Sequence, residues 1–303
     1  MSALETEFPS HIGKIRCGIA GWSYPDWEGY VYPPHTKEKL RYIAEYVDVI
    51  EINSTFYRPP DARMVQSWVT KTSDIKGFCF TAKLHQDITH KGKMDKVMVE
   101  AFHRGFEPMI KADMLKHLLA QFKYDFADSQ PTRNHLKSIV GNFDGMANLT
   151  LELRHNSWQQ EEALEFLKGL GVSVANLDYP LAQNSFSLGL CDIGEDAYLR
   201  LHGRNYKAWF SKGAGRDETY NYLYSEAEVS KIAERATKLA KMSKSLTIIA
   251  NNHYQGKEAV NILQIKAKLS GKKVPVPTPL VEKYPELTKI ETVPDKSQVT
   301  TFR

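Results

Sequence analysis

Cysteine is scarce in this chain. Cys17, Cys79 and Cys191 lie far apart, are odd in number and form no CxxC pair, which argues against a disulfide framework or a structural zinc site and suits a reducing cytoplasm. Long apolar runs are missing as well. No stretch approaches the roughly 20 apolar residues that span a bilayer, and the opening "MSALETEFPSHIGK" has no apolar core of signal-peptide length. The expectation is a cytoplasmic protein with no membrane partner. Charge of one sign is not in large excess: a net +4 over 303 residues does not by itself announce a nucleic-acid partner. No internal repeat is visible. The glycines of "GIAGW" lack the GxGxxG spacing of a dinucleotide turn, which weakens a doubly wound open sheet as the fold.

What the chain does have is an ordinary globular composition, 42% hydrophobic and 25% charged, in which short apolar runs recur. Strands are expected at 15–20, 47–53, 77–83, 118–122, 149–154, 172–178, 197–202 and 246–251. Segments of helical period separate most of them, among them "DARMVQSWVT", "QQEEALEFLKGLG" and "SEAEVSKIAERATKLAKM". Eight such units in about 250 residues is the count of a (β/α)8 TIM-type barrel. We place an α/β barrel domain at 14–270. The proline-rich stretch 271–303 has no sustained period and reads as an extended C-terminal tail.

The strand ends carry the chemistry. Residues two apart share a face of a strand. Glu51 and Asn53 therefore lie with Val49, opposite Ile50 and Ile52. By the same rule Cys79, Thr81 and Lys83 oppose Phe78, Phe80 and Ala82. Thr150, Glu152 and Arg154 oppose Leu149, Leu151 and Leu153, and Tyr198, Arg200 and His202 oppose Ala197, Leu199 and Leu201. The apolar face suits the helices. The other places charge at the C-terminal mouth of the barrel, where barrel enzymes build their sites. The sixth strand ends with Asn176 and Asp178 on one parity, and the eighth ends in Asn251, Asn252 and His253. These polar ends are counted with the same set. Structural ion pairs, Glu51 with Lys83 and Glu152 with Arg154, are the bland alternative, and Arg200 reads equally as a ligand contact or a strut. Burying ions costs several kcal/mol each, so stability alone gives little reason to gather them.

Loops after the strands add Trp22, Tyr24 and Trp27, then Tyr57 and Arg58, then His155 and Trp158, then Arg204 and Trp209. Rings with interspersed donors suit a polar ligand such as a sugar or base; packing of the barrel rim is the competing account. Isolated histidines such as His85, His90, His103 and His117 have no evident partner in the sequence.

The stretches "GIAGWSYPDWEGYVYP", "VIEINSTFYRPP", "FCFTAKLHQDITH", "LELRHNSW", "YLRLHGRN" and "ANNHYQGKEAVN" together resemble the ordered motifs of the YecE-like family, the domain of unknown function numbered 72. The resemblance runs from about Ile15 to Leu269. It implies a (β/α)8 barrel and no particular reaction. The family's characteristic residues map here to Trp22, Glu51, Asn53, Thr55, Tyr57, Lys83, Thr89, His90, Glu152, Arg154, Trp158, Arg200, His202, Gly203, Asn251 and Asn252. The chain departs at the fourth strand, where "QFKYDF" replaces the usual glutamine and proline stretch, and the segment after Gly271 reads as additional to the family pattern.

Three function classes follow. In the first, a metal-independent acid/base enzyme (lyase, isomerase or hydrolase) acts on a small anionic, hydroxyl-bearing substrate such as a sugar phosphate or sugar acid, without a cofactor. Glu51, Lys83, Glu152, Arg154 and His202 form its catalytic set. Glu152 is the base, His202 or Glu51 the proton donor, and Arg154 and Lys83 stabilise negative charge. Trp22, Tyr24, Asn53, Tyr57, Arg58, His155, Trp158, Asp178, Arg200, Arg204, Asn251 and Asn252 form the binding set. The local excess of cations favours the anion. In the second, Glu51, Glu152, Asp178, His202 and His253 hold a metal, against which the neighbouring cations argue. In the third, the basic and aromatic rim binds a nucleic acid or protein, a partner that the solvated look of the lysine-rich stretches does not favour. Replacing Glu152 or Lys83 by alanine is expected to leave the fold largely intact.

Overall fold

The computed structural model describes residues 13–292. Eight parallel strands close on themselves in sequence order: β1 (Lys14–Ile19), β2 (Val49–Ile52), β3 (Cys79–Lys83), β4 (Leu115–Gln121), β5 (Asn148–Glu152), β6 (Ser173–Asp178), β7 (Asp196–Leu201) and β8 (Ser245–Ala250). β1 pairs with β8 from Lys14↔Ser245 to Ile19↔Ala250, so the sheet has no edge. Gly18 in β1 shows how tightly the ring closes: a Cβ there would sit 1.9 Å from the carbonyl oxygen of Val49. All eight expected strands are present, each within a few residues of its expected bounds.

The crossovers are α1 (Lys39–Ala44), α2 (Ala62–Thr72), α3 (Lys96–Lys111), α4 (Gln130–Phe143), α5 (Glu161–Lys168) and α6 (Glu226–Met242), and α7 (Lys257–Ser270) follows β8. Local chemistry starts them. Asp61 and Asp95 accept from first-turn N–H groups of α2 and α3, and reciprocal Ser129–Thr132 and Ser225–Glu228 boxes begin α4 and α6. Each lays an apolar stripe on the outer sheet face, as Val229, Ile232, Ala236 and Leu239 do from α6. The path from β6 to β7 differs, since residues 179–195 contain no helix. Among the described residues no helix is long and apolar enough to cross a membrane.

The core has two parts. The larger lies between sheet and helices. The smaller fills the barrel with Ala20, Val49, Cys79, Leu119, Ala175, Leu177, Tyr198 and Ile249. Four strands present the parity expected of them, and β6 presents the opposite one. Its interior residues are Ala175 and Leu177, while Asn176 and Asp178 face outwards. The C-terminal segment also departs from the extended tail. Val274 pairs with Glu291, a helix runs over Thr278–Lys283, and Val276, Leu280 and Leu287 are buried against the barrel. Alternating prolines suppressed the periodic signal, yet these apolar side chains suffice to dock the segment. Residues 293–303 of the expected tail lie outside the described residues.

Candidate active site

A layer of ions crosses the barrel beneath its C-terminal mouth. Arg200, from β7, lies between two carboxylates: its Nη2 donates to Glu51 Oε1 at 2.6 Å, and its Nη1 donates to Glu152 Oε2. Arg154 closes on the other oxygen of Glu152, with Nε at 2.9 Å and Nη2 at 2.6 Å. The second oxygen of Glu51 accepts from the Tyr198 hydroxyl at 2.9 Å, which also meets Thr81 at 2.9 Å. Glu51, Glu152, Arg200 and His202 are all 0% exposed. Burial alone would raise the Glu152 pKa, but the Arg200 and Arg154 guanidinia outweigh it and hold the carboxyl well below the usual range. Burial pulls His202 down to about 4 despite the opposing pull of Glu152, so its imidazole is neutral at pH 7. One layer lower, His117 bonds Thr150 at 2.9 Å, and burial lowers it to about 3.

Above this layer opens a cavity of ≈ 510 Å³. Lys83 ends β3 and lines it, with Nζ 4.0 Å from Glu51 Oε1 and 5.8 Å from the centre of the Phe56 ring. Thr55 fixes the strand end beneath by donating to the Lys83 carbonyl at 2.6 Å. Burial, and next the Arg200 guanidinium, pull the Lys83 ammonium down to about 8 against the counter-pull of Glu51 and Glu152. Asn53, Asn251 and Gln121 reach the same space from the ends of β2, β8 and β4.

The loops complete the wall. Trp22, packed edge-on against Trp68 at 5.2 Å, and Tyr24 come from the loop after β1. Phe56 and Tyr57 follow β2, and His90 follows the short helix Gln86–Thr89. His90 is oriented by Thr89 Oγ1 at 3.0 Å, and burial lowers its pKa to about 4. His253 stacks between Tyr24 and Tyr220, with ring centres 4.6 and 5.3 Å away. Its turn is held firmly. Trp27 Nε1 donates to the His253 carbonyl at 2.8 Å, and Asp26 accepts from the Gln255 N–H at 2.5 Å. Tyr284 donates to the Gln255 carbonyl at 2.9 Å. Gln255 sits at φ 54°, a left-handed conformation costing a non-glycine residue about 1–2 kcal/mol, which those bonds offset. Among the described residues, three buried polar atoms on the cavity wall find no partner: Asn53 Oδ1 and both ring nitrogens of His253. Buried polar atoms are satisfied almost everywhere in proteins, so these stand out as unused hydrogen-bonding capacity on the cavity wall.

The expected site residues thus divide. Trp22, Tyr24, Asn53, Tyr57, Lys83 and Asn251 line the cavity. Glu51, Glu152, Arg154, Arg200 and His202 are brought together, but as the ionic layer underneath. Arg154 also lies over the Trp209 ring at 5.6 Å. Glu152, gripped by two arginines, is too weak a base for the role expected of it, and its replacement by alanine would take the carboxylate from Arg154 and leave Arg200 with Glu51 alone.

The remaining six lie elsewhere. Asp178 points out of the barrel, accepting from Arg204 Nε at 2.9 Å and from Tyr224 at 2.8 Å, so Asp178 and Arg204 are an outer brace. Asn252 also faces outwards, donating to the Tyr222 carbonyl at 2.7 Å and to Asn261 at 2.9 Å. His155 caps the turn Asn156–Gln159 through Ser157, and Trp158 is buried with its Nε1 on the Phe126 carbonyl at 2.7 Å. Arg58 is an exposed rim residue.

Sequence reasoning missed Arg216 and Tyr220, which reach the cavity from the long segment between β7 and β8. It missed Gln121 too, although the departure of "QFKYDF" from the family pattern marked the spot. Among the described residues no cluster of three or more His, Cys, Asp or Glu is arranged to hold a metal ion, and the five suggested ligands are split between the layer, the cavity and the outer brace.

Residues 16–284 match the family described as "Protein of unknown function DUF72". The chain belongs to the DUF72 family. The match takes in part of the C-terminal segment, which is therefore within the family pattern and not an addition to it. The UPF0759 protein YunF of Bacillus subtilis is 27% identical over 264 residues, 82% of this chain and 92% of that protein. A DUF72 family protein from Thermotoga maritima has a crystal structure that superposes with a TM-score of 0.74 at 33% identity, covering 84% of this chain and 98% of that one. A second, from Enterococcus faecalis, superposes with a TM-score of 0.76 at 24% identity, covering 87% and 98%. Both structures support the barrel, the Thermotoga protein also supports the family, and the relatives' names carry no reaction.

Proposed function

We propose that this DUF72 chain is an enzyme that moves protons on a small anionic, hydroxyl-bearing substrate, such as a sugar phosphate or sugar acid, bound in the cavity above the ionic layer. One observation carries the reading: Lys83 and the unpartnered atoms of Asn53 and His253 converge on a single cavity whose floor is already charge-compensated. A lysine lowered to about 8 is partly neutral at pH 7 and takes a proton more readily than Glu152. In its charged form it attracts the substrate anion, together with Arg216 on the facing wall. Asn53, Asn251, Gln121 and His253 suit hydroxyl groups, and Trp22 supplies apolar wall for the carbon skeleton. The ionic layer acts through position, anchoring the ends of β2, β5 and β7.

The test is ligand binding followed by hydrogen exchange. Sugar phosphates and sugar acids should raise the melting temperature where the corresponding neutral sugars do not, and Lys83→Met should abolish the rise. A bound compound with an acidic C–H should then exchange that hydrogen with deuterated water, as followed by NMR. Equal responses to charged and neutral sugars would defeat this reading.

A further inference from the structure

Resting on the reading just given, we propose that Lys83 acts as a nucleophile, forming an imine with an aldehyde or ketone carbonyl of the anionic substrate. The geometry separates this lysine from the other cations of the barrel. Arg200 and Arg154 are locked onto carboxylates at hydrogen-bond distance, whereas the nearest carboxylate oxygen to Lys83 Nζ is 4.0 Å away. Its side chain is 13% exposed, and that exposed part faces the cavity. The groups that act on it electrostatically are Arg200 and Arg154 on one side of the balance and Glu51 and Glu152 on the other, with the Phe56 ring beside it. A desolvated amine next to guanidinium groups is the environment that leaves lysine free to attack carbonyls. The strand end is pinned by Thr55, so the amine is presented from a rigid element.

The step balances without an added oxidant or reductant. The amine lone pair adds to the carbonyl carbon, and the carbon–oxygen π pair moves to oxygen. The two hydrogens of the neutral amine leave with that oxygen as water, producing the carbon–nitrogen double bond. Once protonated, the imine is an electron sink. A proton can then be removed from the adjacent carbon, or a bond to it cleaved, with the electrons drawn towards nitrogen. The substrate class narrows accordingly, to oxo acids and to aldose or ketose phosphates in their open forms.

The experiment uses the full chain with four probes: pyruvate, glyoxylate, glyceraldehyde 3-phosphate and dihydroxyacetone phosphate. Each is added with sodium cyanoborohydride near pH 7.5, where the imine is reduced to a stable secondary amine. Intact mass and peptide mapping then locate the adduct. The expected result is one adduct per chain with at least one probe, placed on Lys83, suppressed by inorganic phosphate and lost in Lys83→Arg. Circular dichroism of the variant excludes loss of fold as the cause. Adducts spread over exposed lysines, or none on Lys83 with any probe, would overturn the proposal. Binding of the same probes is followed separately by melting temperature. Stabilisation that depends on Lys83 without an adduct removes the imine but leaves the proton-transfer reading intact. An absence of both removes the two together.

Discussion

The ionic layer and the cavity above it are built from the same strand ends, yet they behave as opposite kinds of polar structure. In the layer every carboxylate oxygen has a partner: Glu51 is held by Arg200 and Tyr198, and Glu152 by Arg154 and Arg200. In the cavity, two residues further along the paths of β2 and β3 or in the loops beyond, polar atoms are left open. A polar residue at a barrel mouth is therefore not in itself evidence of catalysis. What distinguishes the two levels is how far the protein has already paired the groups: in the layer all four carboxylate oxygens are bonded and Arg200 Nε alone of the Arg200 nitrogens lacks a partner, whereas the cavity wall leaves Asn53 Oδ1 and both His253 ring nitrogens open. Compensation makes the lower level a scaffold, and incompleteness makes the upper level available to a ligand.

Substitutions should separate the two levels sharply. Arg200→Ala takes the guanidinium from buried Glu51 and one of the two from buried Glu152, and is expected to cost about 3–5 kcal/mol, read as a large fall in the denaturation midpoint. A loss below 1 kcal/mol would mean that water reaches the layer and that the contrast fails. Acid titration should probe the same level. His117 and His202 have folded pKa values depressed to about 3 and about 4 from 6.5, so the unfolded chain binds more protons in that window. Stability is therefore full above pH 6.5 and is lost as pH falls towards 4 and below. His117→Gln, which keeps a hydrogen-bonding side chain, should flatten that slope in urea melts taken across the range.

Lys83→Met should behave differently. A depressed lysine costs stability below its folded pKa, and the cost fades as pH rises from about 8 towards 10.5. Removing it should leave the protein as stable or more stable at pH 7 and erase that alkaline gain, while anion binding disappears. A strongly destabilised Lys83→Met would assign Lys83 to the scaffold. Smallest of all, Arg204→Ala in the partly exposed outer brace should cost no more than about 1 kcal/mol and leave binding untouched, as thermal shift with and without ligand would show.

Much of the barrel was legible because both faces of its strands are buried but differ in chemistry. In β2, β3, β5 and β7 the helix-facing side is purely aliphatic or aromatic, so period two revealed the interior. β6 misled for a physical reason. Its outer face is covered by the helix-free segment 179–195, whose backbone groups need polar partners, and Asn176 supplies them by bonding both the N–H and the carbonyl of Cys191. Asn252 serves the segment before α6 in the same way. Polarity at those positions satisfies a loop and not a ligand. The division between layer and cavity was hidden because it depends on how far each side chain extends, which alternation does not encode. Arg216 and Tyr220 were hidden because an aperiodic segment gives no indication of where it folds back.

The turn that presents His253 is clasped from two directions, by Asp26 and Trp27 in the loop after β1 and by Tyr284 in the segment beyond α7. During synthesis this part of the cavity wall accordingly stays unfinished until Tyr284, well beyond the last strand of the ring, has emerged from the ribosome. A nascent chain halted after α7 could close its ring of strands and still lack the clasp at Gln255. The cavity wall is thus completed only after the ring itself has closed.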